Sequence, residues 1–368
     1  MHVVICGAGV IGACTAYFLA RRGVDVTLVE RTGVAAAASG KAGGFLALDW
    51  CAGSPLDALA RRSFQLHDAL PKEVGADWHY RRMTAYSGFV AGENSARRDV
   101  RAEFAWLADS VTLSSQLGTT ETTAIVPPRT FTSAMMKSAQ DLGARLHAGT
   151  IYGLVRSGDG SAVRGVEVDG RIIGSDAVVI AMGPWSVLAA QWMALPAVYG
   201  LQSPSLVYDT GNDIPAQALF LEAHGEDGET VSVEMFPRGD GTTHITAFSD
   251  QRPLPIDPAA VTPDPRAIDR LQAIAGRISP AFRTERILAR QSCFRPVTQD
   301  GLPLIGRVPG AAGAYVATGH SVWGILNAPA TGEALAELVA EGEARSTDLS
   351  PFDPARLRAL DPALMRAN

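Results

Sequence analysis

The chain has 368 residues, a formal charge of −6 at pH 7, 47% hydrophobic and 19% charged residues, and four cysteines. That length and apolar content provide one large or two intertwined domains with a substantial core and exclude a disordered chain. Its basic residues do not cluster, which argues against a nucleic-acid or anionic-membrane surface, and Cys6, Cys14, Cys51 and Cys293 form no Cys-x-x-Cys pair, which excludes a zinc ribbon and a dithiol centre. The expectation is a reduced, cytoplasmic protein without a metal site.

Met1 to Ile5 reads as a buried strand, Gly12 to Arg22 as a helix closed by Gly23, and Asp25 to Glu30 as a second strand. The apolar run Val3 to Ala20 has no basic leader and is broken by three glycines, so a strand followed by a buried helix is expected in place of a signal peptide or membrane span. Between strand and helix lies Gly7-Ala8-Gly9-Val10-Ile11-Gly12. In such a turn the first glycine bends the chain, the second admits a pyrophosphate, and the third lets helix and strand pack. Glu30 closes the second strand, where a carboxylate can accept from ribose hydroxyls; with Arg31 as its neighbour, it still disfavours a 2′-phosphate and hence NADP.

Ser39-Gly40-Lys41-Ala42-Gly43-Gly44 follows, a small-residue segment suited to close backbone approach beside a cofactor. Helices are expected over Arg97 to Asp109 and Thr132 to Leu142, and strands over Ala144 to Val155 and Val163 to Val168. Asp176 to Ala181 reads as a buried strand ending in the turn Met182-Gly183-Pro184-Trp185-Ser186. Val207 to Phe248 alternates as strands, with a hairpin turn at Arg238-Gly239-Asp240-Gly241 that is an ordinary turn and not an adhesion signal. The proline-rich stretch Pro253 to Pro265 reads as a surface connection, followed by a helix from Arg266 to Ile278. Last come Cys293 to Gly306, then Gly319-His320-Ser321-Val322-Trp323-Gly324-Ile325-Leu326, and a helix from about Pro329 to Glu341.

Taken in order, the N-terminal Gly-x-Gly-x-x-Gly with Glu30, the Ser39 to Gly44 segment, Asp176 to Ser186, and the paired blocks Arg295 to Gly306 and Gly319 to Gly332 resemble the D-amino-acid-oxidase superfamily, in its glycine oxidase and sarcosine oxidase branch. The resemblance spans nearly the whole chain. It implies an α/β fold: a Rossmann-type, glutathione-reductase-like FAD-binding domain (1–77, 141–199 and 286–368) with an inserted antiparallel β-sheet substrate domain (78–140 and 200–285). It also implies that Gly7, Gly9 and Gly12 hold the FAD pyrophosphate, Glu30 the ribose and the Ile151 backbone the adenine. Ser39 to Gly44 would line the flavin, as would Ala181, Gly183 and Trp185. Gly319 to Leu326 would lie on its pyrimidine side, with the following helix aimed at the C2 carbonyl.

The same resemblance makes Arg295 the grip for a substrate carboxylate. Val322 stands where glycine oxidase carries a second basic residue, so glycine itself is not implied. Trp323 either walls the substrate cavity or fills core. His244 or Lys41 would supply the cation that favours dioxygen chemistry above the flavin. Cys293, five residues before Thr298, matches the spacing of a covalent flavin attachment in sarcosine oxidase, whereas glycine-oxidase-like chains bind FAD noncovalently. The expected activity is oxidation of a primary or secondary amine, an amino or imino acid, by hydride transfer to FAD, giving an imine, with reoxidation by O2 giving H2O2. Two alternatives stay open: a dehydrogenase using another acceptor or a larger biosynthetic amine, and a flavin-binding regulatory module without turnover.

Overall fold

The computed structural model describes residues 1–91, 102–224 and 229–365. Strand β1 (His2–Cys6), helix α1 (Val10–Arg21) and strand β2 (Asp25–Glu30) form the expected opening unit. β1 is central in a six-stranded sheet ordered Leu304–Arg307, Ala314–Thr318, Ala177–Ile180, β1, β2, Arg145–Ala148. Neighbours are parallel throughout, except that Leu304–Arg307 runs antiparallel to Ala314–Thr318. Covered on both faces, β1 from Val3 onward and Ala177–Ile180 are buried at every position, and their Val, Ile, Cys and Ala runs meet that need. One face packs against α1 and the helices Asp57–Val74, Pro128–Asp141 and Gly324–Ala340. On the other lies the three-stranded meander Ile151–Arg156, Val163–Val168, Arg171–Gly174.

An eight-stranded sheet forms the second layer. Its path is Asp250–Gln251, Tyr199–Asp209, Thr242–Thr246, Thr230–Pro237, Gln217–His224, Thr84–Val90, Val111–Gly118, with Ile287–Val297 also paired to Tyr199–Asp209. Alternation gives it two unlike faces. Val231, Val233, Met235 and Ile245 pack on the helix Pro265–Ile278, whose start is capped by Asp264 accepting from Arg266 N at 2.9 Å. The opposite face carries Ser232, Glu234, Phe236, His244 and Thr246 and closes over a cavity shared with the first sheet.

Several expectations are corrected. Strand Ile287–Val297 belongs to the eight-stranded sheet, so the expected boundary at 286 moves beyond it. Helix Pro128–Asp141 buries Phe131 and Met135 against α1 and therefore belongs with the first layer, not the second. Ala144 to Val155 is two strands in different sheets, separated at Gly149-Thr150. The expected helix at Arg97 to Asp109 lies partly outside the described residues; its described part contains one 3-10 turn, Ala102–Phe104. Among the described residues no helix is long and apolar enough to cross a membrane.

The C-terminal helix also starts earlier than expected, at Gly324, and runs through Pro329. A proline inside a helix leaves the carbonyl four residues back without its donor. Here that carbonyl, of Ile325, faces the buried His67 imidazole with Nε2 2.9 Å away, and the Leu326 carbonyl is at 3.2 Å.

Candidate functional site

A cavity of about 870 Å3 runs between the two layers. Ligand pockets are on the order of 300–1,000 Å3, so this one lies toward the large end of that range. Its floor is the β1–α1 turn. Gly7 has φ +106°, and a Cβ there would sit 2.6 Å from the Ala181 carbonyl oxygen; one on Gly12 would sit 2.0 Å from the Gly7 carbonyl oxygen. No side chain fits either position. Gly9, at the start of α1, offers no side-chain cap, and Val10 N donates to Ser39 Oγ at 2.9 Å. The positive end of α1 thus opens on the cavity.

The Glu30 carboxylate accepts from Ala8 N at 2.8 Å, Thr32 N at 2.8 Å and Gly33 N at 3.3 Å. A carboxylate has about four acceptor sites, so acceptor capacity remains for a ribose hydroxyl. Gly149, Thr150 and Ile151 continue this wall. Over it lies the proline-rich segment, pinned by Trp185 Nε1 donating to the Pro255 carbonyl at 2.8 Å and by Arg31, which donates to the Ile256 carbonyl at 3.3 Å and pairs with Asp257 at 3.6 Å. The expected surface connection is therefore a strap across the cavity. Glycine cradle, open helix start and terminal acid together fit an adenine dinucleotide.

Of the expected cofactor residues, Gly7, Gly9, Val10, Ile11, Glu30, Arg31, Ser39, Lys41, Ala42, Gly43, Gly44, Ile151, Ala181, Gly183, Trp185, His320, Trp323, Gly324 and Ile325 line the cavity. Gly12, Gly40, Gly319 and Leu326 do not. Gly12 and Gly40 allow backbone to pass backbone, Gly319 turns at φ +82° against Thr298, and Leu326 is core. Ser321, at φ +50°, makes the turn that carries Trp323, which both lines the cavity and packs on the core. His320 is buried and neutral: desolvation brings its pKa down to about 3, with Nε2 3.1 Å from Thr331 Oγ1.

The other end of the cavity is built on the eight-stranded sheet. Arg295 donates from one guanidinium nitrogen to Ser203 Oγ at 2.6 Å and to Ser249 Oγ, while its buried Nε has no partner among the described residues. A guanidinium held by neutral hydroxyls keeps its charge for a ligand. Cys293 lies two residues along the same pleat, its thiol pKa raised by burial despite Lys41 and Arg295. Lys41 donates to the Ser292 carbonyl at 3.0 Å, and burial lowers its pKa.

His244 lines the cavity but is no resident cation. Burial, reinforced by the Arg238 charge, drives its pKa well below 6.5, and it stacks on Phe236 with centroids 6.3 Å apart. Of the two residues expected to supply one cation, this leaves Lys41 as the candidate, and it too lines the cavity.

Three features were not anticipated from sequence. Arg238, in the hairpin turn, is only 8% exposed and donates to the Ala42 carbonyl at 2.6 Å and the Gly43 carbonyl at 3.2 Å. Phe45, Trp50, Phe220 and Phe236 form one ring cluster on the cavity. Glu234 lines it as well, half-buried, with its pKa raised by desolvation against the pull of Arg295. Strand alternation puts Glu234 and Phe236 on one face, and only the packing of the two layers encloses that face.

A dinucleotide cradle opening into a second chamber with an anchored guanidinium defines a cofactor-dependent oxidoreductase. Residues 2–338 match the model of the DAO family, FAD dependent oxidoreductase, and the chain belongs to that family. It is 29% identical to the glycine oxidase of Pseudomonas aeruginosa over 96% of this chain and 98% of that one. A Schizosaccharomyces pombe chain described only as an oxidoreductase is 28% identical over 96% of this chain and 97% of its own length. The crystal structure of glycine oxidase from Bacillus cereus superposes with TM-score 0.78 at 25% identity, covering 93% of this chain and 98% of that one.

Proposed function

We propose that the protein oxidises a primary or secondary amine bearing a carboxylate, an amino or imino acid, with noncovalently bound FAD, giving an imine and, with O2 as electron acceptor, H2O2. The observation that carries this reading is Arg295, held by Ser203 and Ser249 in the same cavity as the dinucleotide cradle. Two glycine oxidases among its relatives support the amine and the carboxylate.

Gly7, Gly9 and the start of α1 would hold the FAD pyrophosphate, and Glu30 the ribose. When bound, FAD supplies the two-electron acceptor that takes hydride from the substrate α-carbon. The chain's own part is orientation and exclusion of water. Arg295 fixes the carboxylate, and Trp323 walls the chamber. The amine must be neutral to react, so its proton leaves to solvent before transfer. Lys41 is the cation that favours the oxygen step. A Cys293 thiol pushed up by burial is poorly disposed to become the thiolate that a covalent link requires.

The test mixes purified protein anaerobically with D-amino acids, N-methyl amino acids and cyclic imino acids, then admits air. Bleaching of the flavin band and recovery with peroxide is the expected result. Bleaching without recovery in air would replace the oxidase with a dehydrogenase; a yellow protein that no amine bleaches would sink the amine reading.

A further inference from the structure

The Glu234 carboxyl makes no hydrogen bond or ion pair among the described residues, although it is half-buried and lines the cavity. Register places it directly opposite Phe220 on one neighbouring strand and Thr246 on the other, with Phe236 two residues along the same face. Phe220, Phe236, Phe45 and Trp50 lie with ring centroids 4.9 to 5.5 Å apart. An unpaired carboxylate beside aromatic rings is poorly matched to a neutral or acidic ligand and well matched to a desolvated cation, which gains from the charge and from the ring faces together. Arg295 acts on Glu234 electrostatically yet forms no ion pair with it; its guanidinium is held by the two serines. Opposite charges thus line one chamber without pairing with each other.

We propose that this chamber takes a substrate with a second cationic nitrogen, an ammonium or guanidinium remote from the carboxylate, and that Glu234 with the ring cluster is its subsite. The proposal rests on Arg295 as the carboxylate grip and adds charge selection at the far end.

Calorimetric titration of the FAD-loaded protein with three non-oxidisable probes tests it: 4-guanidinobutyrate, hexanoate, and n-butylguanidinium, which lacks the carboxylate. The expected result is that 4-guanidinobutyrate binds at least tenfold more tightly than hexanoate and that Glu234→Gln removes this margin while hexanoate affinity stays within twofold. Arg295→Met should weaken both carboxylates at least tenfold and change butylguanidinium affinity far less. Equal binding of 4-guanidinobutyrate and hexanoate, or an unchanged ratio in Glu234→Gln, would overturn the cation subsite. If Arg295→Met alters neither carboxylate, the carboxylate grip fails instead; loss of butylguanidinium binding in Glu234→Gln would then still support the subsite, and its retention would overturn it. Glu234→Gln should keep its flavin and its melting temperature, which separates a lost contact from a lost fold.

Discussion

Arg238 reaches across 196 positions of sequence to donate a 2.6 Å hydrogen bond to the Ala42 carbonyl. It thereby ties the hairpin of the second sheet to the small-residue segment that lines the cofactor cavity. Burial pulls its pKa down to about 10, so it remains charged at neutral pH. Charge-assisted hydrogen bonds contribute roughly 1.5–3 kcal/mol each, and the two carbonyls would be left without this donor by Arg238→Met. The variant should bind FAD at least tenfold more weakly while keeping its far-ultraviolet spectrum. Equilibrium dialysis of flavin against the apoprotein checks this, and unchanged affinity would make Arg238 a purely structural residue.

Removing the carboxylate grip has a different signature. Arg295→Met should retain FAD and lower kcat/KM by about 10²–10³-fold, since loss of a charge-assisted bidentate contact is worth roughly 3–4 kcal/mol. Arg295→Lys should recover only part of the loss, because an ammonium lacks the planar fork. Steady-state oxygen uptake on the best amine of the panel measures both, and full activity in the methionine variant would exclude Arg295 from substrate binding.

Flavin linkage has a simple readout. Acid precipitation should leave a colourless pellet and a yellow supernatant, and Cys293→Ser should keep the same flavin content. A yellow pellet that becomes colourless in the serine variant would establish a covalent link.

How much of this was legible in the chain follows from where the information lies. Gly7, Gly9, Gly12 and Glu30 form a local unit, and the backbone contacts at Gly7 and Gly12 are what their sequence spacing implies. Arg238, Glu234 and Phe220 are ordinary strand and turn residues on a polar sheet face. Only the packing of residues 42–50 against that face encloses them, a contact between segments nearly two hundred residues apart. The misplaced start of the last helix has the same origin. Pro329 argues locally for a boundary, and it is His67, on a distant helix, that compensates the orphaned carbonyl.

His67, His244 and His320 make stability depend on pH in a fixed direction. Burial lowers all three, His67 to about 4 and His320 to about 3, with His244 well below 6.5. Above pH 6.5 they are neutral in both the folded and the unfolded chain. As pH falls below 6.5 the unfolded chain takes up a proton on each while the folded chain does not, so stability present above that pH is lost progressively toward pH 4. At pH 5 His67 and His320 should each cost about 2 kcal/mol relative to pH 8, and His244 acts in the same direction. The melting temperature should therefore drop between pH 7 and 5, before most carboxylates titrate. His67→Phe should lower it at pH 8, because the Ile325 carbonyl loses its partner, a penalty of about 1–3 kcal/mol. The same variant should flatten the pH dependence, since one titrating group is gone. A wild-type melting temperature that is level from pH 7 to 5, or a His67→Phe slope equal to the wild type, would show that these imidazoles are not held neutral in the folded state.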